Sequence, residues 1–249
     1  MDLPFSLPAG MAAAMAAALF AAAFVRGYSG FGFSAIFIAF AALLTNPVPL
    51  IPVVFMCEIA MTAFQARGIR PNIDWRRALT LLAGAALATI PSIYVMARLD
   101  EATARLTISS LILGLSLLLL SGWQLKRPIG RAGHVGVGVA SGMANSAGVG
   151  GLPVAAFMAA QPIPAATFRA TMIVYLTGID LMALPVMAAN GLVSRGTFAA
   201  ALLAFPILGL GVWLGGRRFL SASPQQFRRV AVTLLLTLSL IGIARAVSA

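Results

Sequence analysis

The sequence predicts an all-α integral membrane protein made of two inverted repeats, each a re-entrant helical hairpin followed by three transmembrane helices. Three observations carry that expectation. First, 61% of the 249 residues are hydrophobic and only 9% are charged, with a mean hydropathy of +0.99, whereas a soluble domain carries roughly a quarter charged residues. So few charges cannot coat a body of 25.7 kDa with water-facing side chains, and lipid must surround most of the chain. Second, six apolar segments approach the ~20 residues needed to cross ~30 Å of hydrocarbon. Third, the remaining apolar sequence is broken twice by glycine-rich polar strings at corresponding places, each followed by a proline turn.

The first repeat is expected over 1–124. Its opening apolar stretch, Ala9 to Val25, follows Asp2 rather than a basic region, so it reads as a retained segment and not a cleaved leader. It runs into Arg26 and the string Gly27-Tyr28-Ser29-Gly30-Phe31-Gly32, then resumes to Leu44 before Asn46-Pro47-Val48-Pro49. That gives a hairpin over 9–46, with arms short enough to be half-helices. Backbone groups freed by glycine at membrane depth are tolerated only where they are buried in protein or line a wet cavity. Spans follow at 50–66, 78–97 and 106–124.

A linker over 125–134 ends at His134, the single histidine. The second repeat, 135–249, repeats the order. A hairpin over 135–160 is broken by Asn145-Ser146-Ala147-Gly148-Val149-Gly150-Gly151-Leu152-Pro153, and spans follow at 170–190, 196–216 and 230–247. Gln161-Pro162-Ile163-Pro164 falls 115 residues after Asn46-Pro47-Val48-Pro49. A duplicated membrane domain is the simplest account, and it is a common plan among secondary transporters.

Charge sets the orientation. Of the 17 Lys and Arg residues, twelve lie in the loops 67–77, 124–134, 161–169 and 217–229. Those four loops share one face only if each interrupted segment returns to its own side. The positive-inside rule then places them in the cytoplasm and both termini outside. Trp75, Trp123 and Trp213 fall near the cytoplasmic ends of spans, where an interfacial belt puts tryptophan. The net charge of +11 is accounted for by this asymmetry, so nucleic acid is not an expected partner.

The strings Gly27-Tyr28-Ser29-Gly30-Phe31-Gly32-Phe33 and Asn145-Ser146-Ala147-Gly148-Val149-Gly150-Gly151, with the Ile73-Asp74-Trp75-Arg76 lead-in to a span, resemble the sulfite exporter TauE/SafE family of membrane permeases. The likeness runs over nearly the whole chain. It departs in the second repeat, where Val193-Ser194-Arg195-Gly196 replaces an acidic-Trp-Arg lead-in. The resemblance implies transport of a small anion, such as sulfite, a sulfonate or a related organic acid, across a bacterial inner membrane.

Candidate site residues follow from depth and polarity. Arg26 sits beside a helix break, where an ionisable group faces a cavity or a partner. Its planar fork suits sulfonate or carboxylate oxygens, or else it pairs structurally with Glu58. Glu58 and Asp180 are carboxylates inside apolar spans and are the candidates for proton coupling. Ser29, Gly30 and Gly32 in the first break, with Asn145, Ser146, Gly148 and Gly150 in the second, offer short side chains and backbone N–H groups for an anion.

Gly27-Tyr28-Ser29-Gly30 also matches the G-x-S-G string of intramembrane serine proteases. That chemistry needs a base beside the serine, and His134 is expected far away in a solvated linker. No G-x-x-x-x-G-K-[ST] string occurs, so no ATPase module is predicted. One cysteine, Cys57, is expected to pack, and neither a metal nor a cofactor is predicted. The expected partners are a small anion and the bilayer, with protons as a candidate co-substrate and a homo-oligomer left open. A carrier is the leading expectation; a passive anion channel is the alternative.

Overall fold

The computed structural model describes residues 5, 8–125 and 129–219, together with positions 233, 236–238, 240–241 and 243–244. The expected span at 230–247 therefore lies largely outside the described residues, as does most of the loop 217–229. Among the described residues, regular structure is entirely helical. In chain order the helices are α1 Ala9–Ser29, α2 Phe33–Leu44, α3 Ile51–Gln65, α4 Trp75–Met96, α5 Glu101–Leu120, α6 Arg131–Asn145, α7 Gly151–Ala159, α8 Ala165–Ala189 and α9 Arg195–Phe219.

Six helices are long and apolar enough to cross a membrane: α1, α3 with its preceding turn, α4, α5, α8 and α9. The chain is a multi-pass membrane protein. α1 differs from expectation: it runs for 21 residues, through Arg26 and Gly27, and is no half-helix. Ser29 keeps the last turn helical, its Oγ lying 2.8 Å from the carbonyl of Val25. Gly30 then stops the helix at a φ of 83°, a left-handed value, with its N–H donating to Arg26 O. The other three arms around the breaks are short, at 12, 15 and 9 residues for α2, α6 and α7.

Helix starts follow capping more closely than hydropathy. α4 begins at Trp75 because the Asp74 carboxylate accepts from Arg77 N, and α5 begins at Glu101 because Asp100 accepts from Thr103 N. Both lie ahead of the starts expected from apolar runs alone. His134 is a correction. α6 begins at Arg131, so this residue sits in its first turn rather than in a linker. Its ring is buried edge-on against Phe157, with Nδ1 3.0 Å from Gly130 O.

Between helices in lipid there is no water to exclude, so close packing has to hold them, and small residues make it close. α1 packs along α9 and α6 along α4. A side chain at Gly27 would collide with the Val212 backbone, and one at Gly142 with the Ala85 backbone. α3 lies against α8 and α9, and α4 against α8. α2 and α7 are buried almost throughout, at the centre of the molecule. Leu87 and Ile90 of α4, and Phe198 and Leu202 of α9, point outward, as lipid-facing side chains do.

Contact registers give the direction of each helix. Gly211 meets Phe20 and Ala23 while Gly215 meets Phe24, so α1 and α9 run the same way. Gly138 meets Leu81 and Gly142 meets Ala85, so α4 and α6 do as well. α8 runs with α4, since Asp74 N bonds Thr171 Oγ1 and Gly178 touches Leu82. α3 runs with α9: Met56 shares a cavity with Phe198 and Phe205, and Phe64 reaches Gly209.

Two measurements test this packing. Gly84→Val places a side chain against the Val135 carbonyl between α4 and α6, and overpacking of this kind costs about 1–3 kcal/mol. Gly114→Ala on exposed α5 meets nothing and should hold or raise the melting temperature in detergent. A third test concerns the cap at Asp100. Hydrogen bonds from the Thr103 side chain and then its backbone hold this carboxyl below the usual aspartate range. The cap's contribution is present above that range and is lost as pH falls through the lowered value. The melting temperatures of wild type and Asp100→Ala should therefore differ at neutral pH and converge in acid.

Candidate functional site

Arg26 lies one turn from the end of α1 and is fully buried. Its Nη1 donates to Glu58 Oε1 at 3.0 Å, and its Nη2 reaches Thr62 Oγ1 at 3.4 Å. Glu58 sits near the middle of α3 and is 1% exposed. A third charged residue joins them from α8. Asp180 is fully buried and interacts electrostatically with Glu58 and Arg26, with Asn145 beside it from the end of α6. Four helices thus deliver one cation, two carboxylates and one amide to a single enclosed place.

The cluster is short of hydrogen bonds. Arg26 Nε and Gln65 Oε1 are buried without a hydrogen-bond partner, and both carboxylate oxygens of Asp180 and Asn145 Nδ2 lie near one another and near Glu58 without well-formed hydrogen-bond geometry. Buried polar groups are nearly always paired, because each orphan costs about 1–3 kcal/mol. Five such atoms lie around one ion pair.

Hydroxyls and amides frame the cluster. Thr62 and Thr177 face each other from α3 and α8, with their Oγ1 atoms 2.7 Å apart. Gln65 donates to Arg26 O at 3.4 Å. On the second break, Tyr175 OH donates to Ser141 Oγ at 2.6 Å, and that hydroxyl donates to Gly150 O, which pins the start of α7. Arg169, just past the first turn of α8, donates from Nη2 to Gly27 O at 2.9 Å and lies over the left-handed turn at Gly30. It is half-buried and close enough to Arg26 for the two cations to repel.

The structure therefore brings together Arg26, Glu58, Asp180 and Asn145. The remaining glycines and serines of the breaks do local work. Ser29 Oγ lies 2.8 Å from the carbonyls of both Val25 and Phe31, and Ser146 Oγ donates to Met143 O. Gly32 and Gly148 take left-handed φ values of 91° and 73°, the latter against Ile38 and Ile51. Gly150 lies directly against the Asn145 side chain, so a larger residue there would push the amide away. Sequence reasoning missed Thr62, Gln65, Arg169 and Thr177. One signal could have found the threonines: they are 115 residues apart, the same offset as the proline turns.

Six spanning helices, two central helix breaks and a buried charge cluster between them define the class as a membrane transport protein. The sequence model of the sulfite exporter TauE/SafE family matches residues 14–241. The chain belongs to that family, whose members are transmembrane permeases and not enzymes. Searches of curated proteins and of solved structures gave no match.

Breaking a buried ion pair from one side costs about 3–5 kcal/mol, whereas removing both charges is close to neutral. Arg26→Met should therefore lower the melting temperature sharply, and Arg26→Met with Glu58→Gln should recover most of it. No recovery in the double variant would mean that the two residues are not energetically paired.

Proposed function

We propose that this protein is a secondary transporter that carries a small oxyanion, of the sulfite, sulfonate or related organic-acid class, across the bacterial inner membrane together with a proton. The observation that carries the proposal is the enclosed trio of Arg26, Glu58 and Asp180. One arginine neutralises one carboxylate, and uncompensated charge at this depth is expensive. A single proton held between Glu58 and Asp180 therefore makes the empty site neutral. An arriving anion competes with Glu58 for the Arg26 fork. A second proton on the displaced carboxyl keeps the loaded site neutral, so each monoanion takes up one proton. Asn145 and the hydroxyls of Thr62 and Thr177 supply further contacts for its oxygens. Arg169, over the turn at Gly30, attracts the anion towards them.

We read the scaffold as two inverted repeats, 1–124 and 135–249, joined by 125–134. α1 and α3 run the same way, so α2 has to bring the chain back between them, and α7 does the same between α6 and α8. α3 and α8 run oppositely, because Glu58 lies near Asp180 while Thr62, further along α3, meets Thr177, earlier in α8. The corresponding helices α1 and α6, α3 and α8, α4 and α9 thus run oppositely. The close approach of Gly27 to Val212 has its counterpart in Gly142 on Ala85. On this reading the breaks meet near the axis relating the repeats, the arginine-rich loops lie in the cytoplasm, and both termini lie outside.

Proteoliposomes test the reading. Sulfite uptake should saturate and should accelerate when the outside is acidified, and Asp180→Asn should transport at a rate indifferent to the gradient. Arg26→Lys keeps the charge but loses the fork, so its half-saturating sulfite concentration should rise. Gradient-driven uptake that survives in both Asp180→Asn and Glu58→Gln would refute the proton site. Flux without saturation would make the protein a channel.

A further inference from the structure

Away from the central cluster, a second polar cavity of about 230 Å³ opens where the N-termini of α4 and α6 lie side by side. Its walls carry Asp74, Arg76, Arg77, Thr80, Arg131 and His134. Three arginines against one aspartate leave it positive, and Arg77 is the one that the Asp74 carboxylate holds, at 2.9 Å. Arg76 and Arg131 are exposed and make no ion pair among the described residues.

Helix direction adds to this charge. α4 and α6 run the same way, so the positive ends of both dipoles point into the cavity. Asp74 caps α4, but the capping residue of α6 is Gly130, so no side chain accepts from its first N–H groups, and its first turn holds no acid. His134 lines the same wall. It is nine-tenths buried, and its Nε2 has no hydrogen-bond partner. Trp75 is half-exposed at the start of α4, a residue type enriched where amphipathic rings meet lipid headgroups.

We propose that this cavity binds a phosphate group, held between Arg76 and Arg131 and by the first-turn N–H groups of α6, and distinct from the transport site at Arg26. Such chemistry has two sources, the headgroup of an anionic phospholipid in the surrounding leaflet or free inorganic phosphate. Trp75 places the cavity at headgroup depth. Basic pockets between helices on the cytoplasmic side are a known setting for anionic headgroups.

The test uses the purified full chain in detergent. Native mass spectrometry compares retention of phosphatidylglycerol and phosphatidylcholine, and a parallel melting series adds inorganic phosphate. Wild type, Arg76→Gln, Arg131→Gln and the double variant are compared with Arg98→Gln, which removes a charge at the other end of α4. Each arginine removed from the cavity should weaken phosphatidylglycerol binding roughly five-fold, with Arg98→Gln unchanged. An arginine-dependent rise in melting temperature with inorganic phosphate, and no preference between the lipids, assigns the site to free phosphate. If neither ligand distinguishes the cavity variants from Arg98→Gln, the site does not exist. Should the double variant fold poorly, the two single variants carry the same comparison.

Discussion

A guanidinium shut away from water and from headgroups must find an anion, and the arrangement of this molecule turns on how Arg26 does so. Glu58 answers from α3, Thr62 supports the contact, and Thr177 carries the connection on to α8. Asp180 then brings a second carboxylate to a place that one cation already balances. A well-packed apolar substitute for such a cluster would be no less stable. Packing stability alone therefore does not account for the cluster.

The same economy governs the scaffold. Helix faces in lipid gain little from burying methyl groups, so α1 meets α9, and α6 meets α4, through glycines where even one added carbon would strike backbone. Other glycines break the helices: Gly30 ends α1 and Gly148 turns the chain between α6 and α7, both at left-handed φ. The hydroxyls of Ser29 and Ser146 answer the broken ends locally, which frees Asn145 to face Asp180.

Much of this was legible in the amino-acid sequence, for identifiable reasons. Hydropathy is a sum over twenty residues, so the spans around Glu58 and Asp180 stood out, and so did the charges that interrupt them. Glycine strings mark breaks whatever surrounds them, and their partners in the family made the chain's membership readable. Local detail was harder. The helical turn from Arg26 to Ser29 depends on a side chain bonding back to Val25, and hydropathy does not register such a bond. The burial of His134 depends on Phe157, more than twenty residues away in sequence, so the short polar-looking stretch 125–134 reads as a linker from sequence alone. Arg169 was passed over because it falls among loop residues, although α8 begins before it and carries it over Gly30. The Thr62 and Thr177 pair needed the repeat offset to be applied to residues that look ordinary singly.

The central claim is that the trio of Arg26, Glu58 and Asp180 takes up one proton with each anion it accepts. Proton uptake during binding measures this directly, in weakly buffered detergent solution and with a sulfonate whose own group does not titrate near neutrality. The account predicts one proton taken up per sulfonate bound by the wild type and none by a variant carrying both Glu58→Gln and Asp180→Asn. Binding of the sulfonate by the wild type with no proton taken up would contradict it.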